Sequence, residues 1–190
     1  MKLTNKLLAA TAIAGVAIIG ASFNASAVDQ DIDASAEFRA ALALSNAVDM
    51  DFGVIDYSGT SAGTVVLDAA DASLTGDANY VPASSTGTLG AVDIDGETGA
   101  TIEISCESTG TLSDGTNTLG LINTEVRIGG TDRACAGLGT SPSTFDLSAG
   151  TDTLEVGATI NILAGGIQAA GVYNTTNASG DPITVRVVYQ

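Results

Sequence analysis

Histidine and tryptophan are absent from the 190 residues, and lysine occurs only at positions 2 and 6. Without histidine, neither a Ser-His-Asp nor a Cys-His nucleophile can be assembled, and the commonest general base is missing. Beyond residue 6 there is no lysine for a Schiff base or for a phosphate loop. Paired carboxylates remain available for glycoside chemistry, but 22 acids make chance pairs unavoidable, and there is no tryptophan to serve as a sugar platform. No enzymatic role is expected. Proline occurs three times and aromatic residues make up 4% of the chain, so the core must be built from small aliphatic side chains. A core of that kind suits thin, packed sheets. Long apolar runs are also missing, apart from one near the start.

That run belongs to an export signal. Lys2 and Lys6 form a basic start, residues 7–19 are apolar, and Ala25-Ser26-Ala27 is a small-x-small cleavage site. The apolar stretch is short for a membrane span. Cleavage after Ala27 predicts a mature chain beginning at Val28, with no membrane span thereafter. Export through the Sec pathway to the periplasm and then to the cell surface is the expected route.

Cleavage leaves four arginines (39, 127, 133 and 186) against 22 acids, a net charge of −18. Nucleic acid is excluded as a partner, because phosphate neutralisation needs cationic side chains. An anionic membrane surface is disfavoured for the same reason. Such acidity favours solubility outside the cell. Calcium is the one cofactor left open. Asp93, Asp95 and Glu97 alternate around Gly96, and Asp29, Asp31 and Asp33 form a second acidic group, but the spaced terminal glutamate of a calcium loop is missing. Solvated turns and a negative strand edge explain both groups equally well, so no metal ligand is assigned.

The two cysteines, Cys106 and Cys135, both follow the signal. An exported chain oxidises such a pair, and closing a loop of this length stabilises by roughly 3–4 kcal/mol. A metal pair is the alternative, but no histidine or further cysteine completes a site.

Period-two alternation recurs along the chain. It is found at 50–57, 63–67, 100–106, 119–128, 153–162 and 183–189, and more weakly at 78–82 and 88–94. Within 153–162, Leu154, Val156, Ala158, Ile160 and Ile162 share one face. Within 119–128, Ile122, Val126 and Ile128 are expected on one face. Gly-containing turns separate the runs, as at 58–59, 95–96, 114–115, 129–130, 165–166 and 179–180. The pattern predicts an all-β fold, an antiparallel β-sandwich, in one domain over residues 47–190.

Ahead of that domain, residues 28–46 form an N-terminal extension that itself alternates. Ile32, Ala34, Ala36, Phe38, Ala40, Leu42 and Leu44 occupy even positions; the odd ones are Asp33, Ser35, Glu37 and Arg39, followed by Ala41 and Ala43. An amphipathic strand there completes either its own sheet or a neighbour's. The alanine content of 34–47 also permits a helix.

Several landmarks occur in a fixed order: the alternating N-terminal segment, then Asp51-Phe52-Gly53, then the Cys106 strand, then Ala170-Gly171-Val172-Tyr173, and finally Val185-Arg186-Val187-Val188-Tyr189. In this the chain resembles the exported bacterial proteins defined by the domain of unknown function DUF4402. It is also similar to the spore-coat-U-like pilins of archaic chaperone–usher systems. The pilin resemblance implies an incomplete immunoglobulin-like sandwich. A periplasmic chaperone first supplies its missing strand, with an usher as assembly partner, and the next subunit's N-terminal extension supplies it later. Carried over, Ile32 to Leu44 would be the donor strand, and Phe52 and Gly53 would lie in an early strand. Gly171 and Tyr173 would start the final hairpin, with Tyr189 as the terminal aromatic. The expected function is a structural subunit of a surface fibre, assembled by strand addition with Phe38 as the central anchor. The rival is a self-complemented surface or secreted binding module, in one form calcium-dependent.

Overall fold

The computed structural model describes residues 35–165 and 170–190. The expected signal at 1–27, the residues Ile32 and Ala34, and the acidic group Asp29, Asp31 and Asp33 lie outside the described residues. The described residues form β-strands and no helix, and so contain no helix able to cross a membrane. In chain order the strands are β1 (Ala43–Val48), β2 (Ile55–Tyr57), β3 (Gly63–Leu67), β4 (Leu74–Gly76), β5 (Tyr80–Pro82), β6 (Gly90–Asp95), β7 (Ala100–Cys106), β8 (Gly110–Ser113), β9 (Thr118–Ile128), β10 (Thr131–Ala134), β11 (Ser143–Leu147), β12 (Thr151–Ile162) and β13 (Val185–Tyr189).

Two long strands, β9 and β12, lie side by side and carry the larger sheet. On its other flank β12 pairs with β6 along its first half and with β3 along its second. Gly157 sits where the two partners meet. A Cβ there would lie 2.5 Å from the Leu67 carbonyl oxygen and 2.7 Å from the Ala69 nitrogen, so only glycine lets the strands close up. β9 repeats the arrangement, with β8 and β10 end to end on its outer flank. β1 forms an edge on β6, and β4 an edge on β3. All pairings are antiparallel.

A three-stranded sheet, β11-β7-β13, and a two-stranded ribbon, β2-β5, complete the structure. Ile102 and Ile104 of β7 and Leu147 of β11 bury against Val126, Leu154 and Val156 of the larger sheet in one core cluster. A second cluster gathers Val65, Leu67, Tyr80, Leu121, Ile160 and Ile162, with Phe52 beneath them. The sandwich follows directly from the alternation, because each strand puts one apolar face inward and the two faces need each other.

Cys106, at the end of β7, is bonded to Cys135, just past β10, with 5.1 Å between their Cα atoms. The disulfide therefore ties the smaller sheet to the larger one.

Three expectations are corrected. The N-terminal alternation does not mark a strand's position: residues 35–42 have no regular structure, and the strand begins at Ala43. The helix permitted there is not formed over residues 35–47. The strand expected at 50–57 is broken, because Gly53 takes a positive φ of 64° and only residues 55–57 remain extended in a ladder. On β9, Leu119 and Leu121 point inward and Ile122 is half-buried, because the pairing with β12 shifts between Gly157 and Thr159 and Asn123 adopts φ 49°. A bulge of this kind reverses which residues face the core.

Candidate functional site

One side of the sandwich is open. Its first wall is β1 and the chain that follows it to Phe52. Its second wall is residues 173–185, leading into β13. Between them is a cavity of about 310 Å³ lined by Leu44, Val48, Val92, Val156, Ile183 and Val185. It adjoins a larger cavity of about 590 Å³ lined by Val54, Ile55, Leu119, Ile160, Val172 and Tyr173. Asp49, Met50, Phe52, Leu112 and Thr175 line both, so the two form a continuous apolar cleft.

β13 bounds this cleft and has only β7 as a partner among the described residues. The hydrogen bonds flanking the ladder run from Glu107 N–H to Thr184 C=O and from Gln190 N–H to Thr101 C=O. The alternation of an antiparallel pair then directs the even-numbered residues' backbone groups toward β7. The N–H and C=O groups of Val185, Val187 and Tyr189 point away from it, along an open edge. The side chains of Val185, Val187 and Tyr189 turn half-buried toward the core, and Arg186 and Val188 face outward. Arg127 pairs with Asp132 at 2.8 Å, whereas Arg186 has no carboxylate within ion-pair distance among the described residues.

The N-terminal segment reaches the sandwich at one small network. The Tyr189 hydroxyl accepts a hydrogen bond from Glu97 N–H (2.7 Å) and donates one to Ala40 C=O (2.9 Å). Ala40 N–H in turn donates to the Glu97 carboxylate at 2.9 Å. Gly96 makes room for this latch, since a Cβ there would stand 2.6 Å from the Tyr189 hydroxyl and 3.1 Å from Leu42. Leu42 is half-buried against the core cluster, and β1 follows, with Leu44 46% exposed and lining the cleft. Ala36 and Phe38 are exposed, Phe38 to 93%. Of the alternating set, Ala40, Leu42 and Leu44 therefore touch the sandwich, and Phe38 is left exposed.

The other expected residues are dispersed along the cleft. Asp51 receives the Gly53 N–H at 2.8 Å and exchanges backbone hydrogen bonds with Thr88, so Asp51-Phe52-Gly53 is a turn that drives Phe52 into the core rather than part of a strand. Tyr173 packs against the first core cluster and hydrogen-bonds Asp114. The Asp114 carboxyl is held down to about 2, first by the Asn117 backbone N–H, then by the Asn117 side chain and the Thr116 N–H. Gly171 lies exposed beside Asp114. Among the described residues no hairpin starts there: the connection forms single bridges, Ser113 with Asn174 and Thr111 with Asp181, before β13 joins β7.

The acidic turn is occupied by internal partners. Asp93 accepts from Asn46 and Thr153 side chains, both at 2.8 Å, which lowers its pKa, and Glu97 belongs to the Tyr189 network. No group of three or more metal-ligating side chains is gathered among the described residues. An expectation that the chain lacks a Gly-x-Ser-x-Gly motif is corrected by residues 59–63, Gly-Thr-Ser-Ala-Gly, which have the spacing of a serine-hydrolase elbow. They form a bend entering β3, not a strand-to-helix turn, and the Ser61 carbonyl accepts the Tyr80 hydroxyl at 2.6 Å.

Fold and site together define an all-β, disulfide-tied sandwich in which the edge of β13 lies beside an apolar cleft. Residues 42–189 match the family model described as Domain of unknown function (DUF4402), and the chain belongs to that family. No curated protein and no solved structure matches it significantly.

Proposed function

We propose that this protein is an exported structural subunit of a bacterial surface fibre, joined to its neighbours by β-strand addition of the N-terminal segment. The observation that carries this reading is the open β13 edge beside the apolar cleft, combined with a segment of the same chain that alternates and exposes Phe38. An added strand would satisfy the outward backbone groups of β13 while its inward side chains cover the cleft. Burying a phenylalanine alone contributes roughly 1.5–3 kcal/mol. The immunoglobulin-like character of the sandwich, export through the Sec route, transit with a periplasmic chaperone and usher, and a purely non-enzymatic role all belong to this proposal.

Protein recovered from the native host's surface is expected to give a multimer ladder on SDS gels that collapses to monomer on boiling. Phe38→Asp is expected to abolish the ladder without preventing export. An unaltered ladder from that variant would remove Phe38 as the anchor, and a wild-type monomer in both lanes would remove the fibre reading.

A second reading, the self-complemented binding module, is favoured by one feature: β1 pairs with β6 of its own sheet and the Tyr189 latch holds Ala40 there. It predicts a chain that refolds alone and stays monomeric. A calcium-dependent form of it would lose thermal stability in EDTA.

A further inference from the structure

We propose that the peptide bond between Arg39 and Ala40 is a processing site for an arginine-specific endopeptidase, and that Glu97 is placed to receive the α-amine the cut creates. Processing here goes beyond the fibre reading. A cut subunit keeps its cleft and loses Phe38, so the cut would end its part as a donor.

The choice of bond follows from where the cations are. Beyond residue 6 the chain has no lysine and four arginines. Arg127 lies in β9, Arg133 in β10 and Arg186 in β13, each with its backbone in an antiparallel ladder. An endopeptidase grips its substrate as a single extended chain, so a residue paired in a sheet must first be pulled out of it. Arg39 alone among the described arginines lies outside a strand, exposed, in the irregular stretch 35–42. Exposed, irregular backbone near a terminus is where nicking concentrates. The two residues that follow, Ala40 and Ala41, are small.

The cut leaves the sandwich whole. The first ladder, β1 with β6, starts at Ala43. Leu42, which packs against a core cluster, stays with the domain, and the exposed Phe38 departs.

The second observation lies on the far side of the bond. Ala40 N–H donates to the Glu97 carboxylate at 2.9 Å, and Ala40 C=O accepts the Tyr189 hydroxyl at 2.9 Å. Hydrolysis adds one water across the bond, its hydroxyl to the Arg39 carbonyl carbon and its proton to the Ala40 nitrogen. The carbon leaves as the carboxylate that ends at Arg39. The nitrogen stays as an α-amine, protonated at neutral pH. The atom already facing Glu97 thus changes from a neutral donor into a cation without having to move. A charge-assisted hydrogen bond is roughly twice as strong as a neutral one, so the latch tightens once the cut is made. Before the cut it acts the other way, because Ala40 must leave Glu97 and Tyr189 to enter a protease.

Trypsin, acting on the full exported chain under native conditions, serves as the probe enzyme. Intact mass is expected to show one early product, residues 40–190, with the bonds after Arg127, Arg133 and Arg186 cut at least about tenfold more slowly. Tyr189→Phe should be cut at Arg39 roughly fivefold faster, and Arg39→Gln should remove the product. The cut chain has no lysine, so its α-amine is the single amine in the molecule. Reductive methylation with isotope-labelled formaldehyde then gives one signal to titrate by NMR. Its pKa is expected above the usual α-amine range of about 7.7–8.0, and Glu97→Gln, which keeps an acceptor but removes the charge, should return it to that range. Protein recovered from the native host's surface should begin at Ala40 in at least part of the population. Cleavage at another arginine that keeps pace with Arg39, or a uniform start ahead of Arg39 in the host, would overturn the processing site. A wild-type α-amine that titrates in the usual range would overturn Glu97 as its receiver. The multimer ladder tests the fibre reading separately.

Discussion

Thr124 sits on β9, wholly buried, and its hydroxyl has no hydrogen-bond partner among the described residues. A buried unsatisfied hydroxyl carries a desolvation cost that a methyl group of the same shape avoids. Thr124→Val is therefore expected to raise stability by about 1 kcal/mol, read as a higher Tm or denaturant midpoint in the monomer. The position illustrates what alternation can and cannot reveal at the level of single residues. By parity Thr124 shares a face with Val126 and Ile128, and it does turn inward with them. Parity also placed Ile122 on that face, and it failed there, because the left-handed Asn123 and the register shift against β12 insert an extra residue. Nothing local to the asparagine distinguishes it from one in a regular strand. The bulge is set by the partner strand, which a single sequence does not name.

At the scale of the element, the N-terminal segment is the informative case. Its alternation is clean from residue 32 to Arg39, yet the ladder forms over 43–48. A period-two pattern says which face a strand would bury but not where a partner lies. β6 offers its edge only to the residues after Leu42, and before them the chain is fastened by side chains instead. Tyr189→Phe would delete both hydrogen bonds of its hydroxyl, to Glu97 N–H and Ala40 C=O. The expected result is a loss of about 1 kcal/mol together with faster hydrogen exchange and protease cleavage around residues 38–42. Unchanged exchange at Ala40 would mean that Leu42 packing alone holds the segment. Sequence reading had picked out Tyr189 as a terminal aromatic and Glu97 as an acidic turn residue. Their meeting, across 92 residues, depends on the turn after β6 lying beside the end of β13, and no spacing rule announces it. β4, β8, β10 and β11 went unread for a related reason: each is three to five residues long and takes its shape from a longer neighbour.

The molecule as a whole was more legible than its parts. The small aliphatic composition, the even pair of cysteines and the repeated alternation predicted an all-β sandwich with a disulfide, and that is the structure. The ends of β3 and β7 fall where the pattern put them, because both are flanked by turn residues and pair with regular partners. The open cleft was not legible as a place, since its walls are drawn from residues 44–52 and 173–185, far apart in the chain. The disulfide joins the two sheets across the core, so its removal should affect the whole fold. Replacing both cysteines by alanine is expected to cost roughly 3–4 kcal/mol, measured as a shift in the urea midpoint. A drop confined to the β10 region by hydrogen exchange would show that the staple acts only locally.

The central place of β12 has a consequence for the order in which the molecule can be built. β3, β6 and β9 all pair with residues 151–162, and none of the three pairs with another of them. A chain that emerges N-terminus first can form the ribbons β3-β4 and β8-β9-β10 as it appears, but these stay separate pieces. Not until about four-fifths of the residues have been delivered does the strand arrive that gathers them. Until then the largest apolar faces of the sandwich have nothing to close against. The early life of this protein is a long wait in which its adhesive surfaces are most open to any other strand that reaches them first.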